Sequence, residues 1–119
     1  MLWQGFHIYE SYTNDLAEVE SWFVDQPDVI RTRKALDIRV RQIFDDSGEI
    51  KSLEVLIAYV DMSHVGTYVL DPKSKVVLDY ESSEVLFSFQ NQKFVVRVPK
   101  GRILAQMIGA IEIRPPRSR

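Results

Sequence analysis

The chain has 119 residues, 15 Lys and Arg against 17 Asp and Glu for a net charge of −2, and no cysteine. That length suits one domain around a single core. The lack of cysteine excludes a disulfide framework, a thiolate zinc site, an iron–sulfur cluster and a cysteine nucleophile. No apolar run approaches the roughly 20 residues of a membrane-spanning helix, and the N-terminus has neither the basic region nor the apolar stretch of a secretory signal, so a cytoplasmic location is the expectation.

In chain order, Phe6 to Tyr12 is dense in aromatics and alternates loosely, which reads as a strand. Asp15 and Glu18 then stand at capping-box spacing, Leu16, Val19 and Phe23 recur at i, i+3 and i+7, and Pro27 ends the run; this pattern predicts a helix of about three turns. From Leu36 the period becomes two, with Leu36, Ile38, Val40 and Phe44 on one side and Asp37, Arg39 and Arg41 on the other. Asp45-Asp46-Ser47-Gly48 supplies a turn that folds this strand back as a hairpin.

The returning run, Leu53 to Met62, is apolar on both parities; its β-branched and aromatic residues favour a central strand over a helix. Gly66 to Leu70 and Val76 to Tyr80 flank Asp71-Pro72-Lys73-Ser74 and read as a second hairpin. A third is expected where Val85, Phe87 and Phe89 alternate, Asn91 turns the chain, and Phe94, Val96 and Val98 alternate again. Residues 103–113 fit either a strand or a short helix, with Gly109 and Ile111-Glu112-Ile113 favouring a strand at the end. Residues 114–119, rich in Pro and Arg, read as an exposed basic tail on a domain spanning 1–113. The sum is an α+β fold, a predominantly antiparallel, curled or barrel-like hairpin sheet of about seven strands packed on one short N-terminal helix.

Chemistry-bearing patterns are sparse. Asp61, Ser63 and His64 form the best local catalytic cluster, in which the carboxylate and imidazole could pair beside a hydroxyl nucleophile, although Asp, Ser and His are also ordinary turn residues. With two histidines, scattered glycines and no phosphate-binding loop, neither a metal nor any cofactor is expected. Basic residues are more numerous: Arg31, Arg33, Lys34, Arg39, Arg41, Arg97, Lys100, Arg102, Arg114, Arg117 and Arg119 could contact phosphates beside stacking aromatics, or equally occupy solvated sheet faces and ion pairs.

Charge is segregated along the chain. Residues 1–30 hold six acids and no Lys or Arg, while residues 93–119 hold seven bases and one acid. Six aromatics crowd the first 23 residues, more than one strand and one short helix can point inward; Trp3, Tyr9, Tyr12 and Trp22 are the candidates for contact with a partner. These patterns predict a non-catalytic protein-interaction or regulatory domain, such as an adaptor, an inhibitor or an oligomerising module. The alternative is a single-stranded nucleic-acid binder using the basic strands and tail. A small-ligand or enzymatic cup inside the curled sheet is the third reading.

Overall fold

A computed structural model describes residues 2–11, 15–61, 65–71, 73–99 and 111–114, and these form nine β-strands. They are β1 (Leu2–Glu10), β2 (Ala17–Phe23), β3 (Arg31–Phe44), β4 (Ile50–Tyr59), β5 (Gly66–Leu70), β6 (Val76–Asp79), β7 (Glu84–Phe89), β8 (Gln92–Arg97) and β9 (Ile111–Arg114). Seven run antiparallel in the order β5-β4-β3-β2-β8-β7-β6, with β9 parallel beside β6 and β1 on β3. The sheet curls into a half-barrel, so that Tyr68 of β5 comes within 5.8 Å of Phe87 of β7, measured between ring centroids.

The fold is therefore all-β among the described residues, and the expected α+β class is incorrect. The segment read as a helix is β2. Its inward positions are Ala17, Val19 and Ser21, two of them small, so a true period of two looked weaker than the accidental helical spacing of Leu16, Val19 and Phe23. Glu18 does not close a capping box; its carboxylate takes a bond from Lys34 Nζ at 2.8 Å. Pro27 lies in the turn between β2 and β3 rather than at a helix end.

The second hairpin is also corrected. Its turn forms, with Ser74 N donating to the Asp71 carbonyl at 2.8 Å and Lys73 N to the Asp71 carboxylate at 2.8 Å. Yet β5 and β6 do not pair: β5 lies on β4 at one end of the seven-strand order, and β6 lies on β7 at the other. The five residues between them carry the chain from one end of the curled sheet to the other. The hairpins β3–β4 and β7–β8 do form, and residues 50–59 are strand, with Leu53, Val55, Ile57 and Tyr59 alternately buried. Of the ambiguous run 103–113, Ile111 onward is β9, and the rest lies outside the described residues.

One long strand organises the sheet. Along a single edge of β3, β1 pairs with residues 37–44 and β2 with residues 31–35, end to end. Between them Ser11 N donates to the Leu36 carbonyl at 2.9 Å, so backbone bonding to β3 continues past the end of β1 towards β2. β2 then uses its other edge to hold β8. At the far end of β3, the Asp45 carboxylate accepts from Ser47 N at 2.9 Å and Glu49 N at 3.0 Å, and Gly48 takes φ +87°, a conformation that favours glycine.

Inward side chains from β1 to β8 meet in one core. Ile38, Val40, Leu53, Val55, Ile57, Leu78, Val85 and Val96 are fully buried. Phe87 and Phe94 stack across the β7–β8 pair with centroids 4.6 Å apart and planes within 6°.

Candidate protein interface on the convex face

Period-two alternation sends every second residue of β2, β8, β7 and β6 to the outside of the curl, where the register sorts them into rows. One row is Glu18, Arg97, Glu84 and Asp79. The next is Glu20, Val95, Leu86 and Val77. The third is Trp22, Lys93 and Ser88. The outer face thus sets a charged row beside Val95, Leu86 and Val77, with Trp22 next to polar Lys93 and Ser88 beyond them.

Arg97 of the charged row bridges Glu84 in its own row and Glu20 in the next, its Nε lying 3.0 Å from Glu84 Oε2. Lys34 holds the Glu18 carboxyl below its usual range, first by direct hydrogen bonding and then by its charge. The second and third rows form a shallow groove of about 290 Å³ lined by Trp22, Val77, Leu86 and Val95 together with Ser88, Lys75 and Lys93, with the Phe87–Phe94 pair behind it. Each apolar wall residue is half-buried, whereas both lysines are exposed.

Beyond Trp22 the β2–β3 hairpin ends in a tip whose apolar side chains point into solvent. Phe23 is 41% exposed, Val24 51%, Val29 60% and Ile30 53%, which makes four of the eight exposed large hydrophobic side chains among the described residues. The tip is held by backbone bonds from Val24 N to Asn91 O at 2.9 Å, Gln26 N to Phe23 O at 3.0 Å and Val29 N to Gln26 O at 3.1 Å. Its ionisable residues are Asp25 and Asp28. The tip follows Trp22 directly in the chain, although Phe23 lies on the opposite parity of β2, and exposed apolar side chains so grouped are of the kind that recognise another macromolecule.

The residues singled out from sequence are dispersed. Trp22 lies in the groove. Tyr9 is fully buried, its hydroxyl donating to the Asp15 carbonyl, so it serves packing. Trp3 is in β1 opposite Ile43, and Tyr12 lies outside the described residues.

Five of the seven described residues of the basic set hold carboxylates: Arg33 with Asp61 at 2.8 Å, Lys34 with Glu18 at 2.8 Å, Arg39 with Asp37 at 2.8 Å, Arg41 with Glu54, and Arg97 as above. Arg31 is exposed at the start of β3, and Arg114 ends β9 opposite Asp79. Lys100, Arg102, Arg117 and Arg119 lie outside the described residues.

Asp61 is drawn to Arg33, whose hydrogen bond holds its carboxyl below the usual range; Ser63 and His64 lie outside the described residues. Among those described, no three or more His, Asp or Glu side chains are grouped to hold a metal, and no helix is long and apolar enough to cross a membrane.

Sequence reasoning passed over Val77, Leu86, Val95, Lys93 and the tip. The available signal was the second parity of β7 and β8, where Leu86 and Val95 stand at positions that a fully solvated face would fill with polar residues. Comparison with protein-family models, with curated proteins and with solved structures finds no match.

Proposed function

We propose that this chain is a protein-interaction domain that recognises an apolar, acidic segment through the groove between Trp22 and Val77. The observation that carries the reading is the division of the convex face: its charged row is neutralised within the sheet, while Trp22, Val77, Leu86 and Val95 line a groove open to solvent with Lys93 exposed beside them. A half-buried Trp at the centre of such a surface is the residue type that most often anchors a partner. Lys93, exposed beside the groove, favours an acidic ligand and disfavours a basic one. The ion pairs on Arg33, Lys34, Arg39, Arg41 and Arg97 weigh against phosphate binding, because each phosphate would have to displace a carboxylate.

Titration of a Trp3→Phe variant with a short peptide alternating Leu and Glu tests the reading, Trp22 then being the only indole. Saturable, salt-weakened change in Trp22 emission, abolished by Leu86→Lys, is expected. A linear, unsaturating response, or one unaltered by Leu86→Lys, would reject the groove as a recognition surface.

A further inference from the structure

The tip and the groove are complementary to each other, and we infer that the groove's occupant is the β2–β3 tip of a second copy of this chain. The inference rests on the groove being a recognition surface and goes on to name what fills it. The tip offers exposed Val24, Val29 and Ile30 beside Asp25 and Asp28, and the groove offers Trp22, Leu86 and Val95 beside Lys93. Apolar meets apolar, and acid meets base.

A chain cannot satisfy its own groove. Phe23 follows Trp22 directly, and the bond from Val24 N to Asn91 O directs the chain past the β7–β8 turn, away from Leu86 and Val95. The occupant must therefore come from another molecule. Because Trp22 of the groove leads directly into the tip, one two-fold axis lets each copy insert its tip into the other's groove, using both surfaces and closing the assembly at two. The tip's internal hydrogen bonds already fix its shape, which lowers the ordering cost of docking.

Sedimentation over a concentration series tests this with two charge reversals, Asp25→Lys with Asp28→Lys on the tip and Lys93→Glu in the groove. The unmodified chain is expected to form a dimer that dissociates on dilution and more readily at high salt. Each reversed variant alone places like charges on tip and groove, and is expected to dimerise at least about tenfold more weakly. Mixed together, the two variants present a basic tip to an acidic groove and an acidic tip to a basic groove, so an equimolar mixture should restore a heterodimer. Circular dichroism and thermal melts of each variant establish that it is folded.

A chain that stays monomeric, a dimer indifferent to both reversals, a mixture that fails to associate, or open-ended oligomers in place of dimers would each overturn the inference. If the chain is monomeric yet still binds the Leu–Glu peptide at Trp22, reciprocal docking fails while groove recognition stands. If neither occurs, both fail.

Discussion

The Arg33 guanidinium lies over the Tyr59 ring, its central carbon 3.8 Å from the ring centroid. The same guanidinium bonds Asp61 at 2.8 Å, the Tyr59 hydroxyl meets the Tyr68 hydroxyl at 2.6 Å, and Tyr68 packs against Phe94 with centroids 4.9 Å apart. Side chains thus join β3, β4, β5 and β8, although β5 and β8 share no backbone pairing. Arg33→Ala is expected to lower folding stability by about 1 kcal/mol through lost ring contact and stem packing. Asp61→Asn should cost less, because that carboxylate is largely in water. Urea denaturation of both variants checks the order.

Gly66 sits beneath the same ring. A Cβ at this position would lie 2.9 Å from Tyr59 Cε2 and 3.3 Å from the Tyr68 hydroxyl. The Tyr59 ring has little freedom to retreat, with Arg33 over it and Tyr68 on its hydroxyl. Gly66→Ala should therefore destabilise by about 1–3 kcal/mol. In a Tyr59→Leu background the penalty should shrink, which a double-mutant cycle would read as coupling.

Alkaline pH should expose the Tyr59–Tyr68 bond. Burial, followed by that hydrogen bond, pushes the Tyr59 hydroxyl well above its ordinary value of 10.0. The unfolded chain releases this proton near the ordinary value while the folded chain retains it. The resulting stability is fully present below pH 10 and is lost as pH rises towards the folded-state value. Urea midpoints above about pH 10 should fall more steeply for the unmodified chain than for Tyr59→Phe. Equal slopes would place the hydroxyl in water. Glu18 has the opposite sign: its depressed carboxyl contributes stability above its ordinary value of 4.5, lost as pH falls below that value.

The β7–β8 hairpin turns through Gln90 and Asn91, between the paired residues Phe89 and Gln92. Gln90 has φ 54°, a left-handed conformation in which its Cβ is crowded. Gln90→Gly should relieve that crowding and raise stability by about 0.5–1 kcal/mol after its entropic cost. A thermal melt showing a lowered midpoint would contradict the account.

Local alternation made β3, β7 and β8 readable because large apolar residues occupy one parity and mostly polar ones the other. β2 was unreadable for the converse reason. Its inward side chains are an alanine, a valine and a serine, and its glutamates are explained only by Lys34 and Arg97, which lie 16 and 77 residues away from Glu18 and Glu20 in sequence. Pairing choices were equally hidden: the Asp71 turn forms as its residues require, but nothing local says that β5 and β6 depart to opposite ends of the sheet. The interface followed the same logic. Trp22 was legible as an anchor by residue type, whereas Val77, Leu86 and Val95 became a surface only when three strands aligned in register.

The antiparallel hairpins β3–β4–β5 and β6–β7–β8 are each built from neighbours in sequence, and β2 alone is hydrogen-bonded to both. The protein is divisible at that seam. A chain cut between Leu70 and Val76 would leave one fragment carrying β1 to β5 and another beginning at β6. The edge of β2 in the first fragment is complementary to β8 in the second, and Tyr68 is complementary to the Phe87–Phe94 stack. Two such pieces have the makings of a split protein, able to find each other in solution and rebuild the half-barrel without the peptide link.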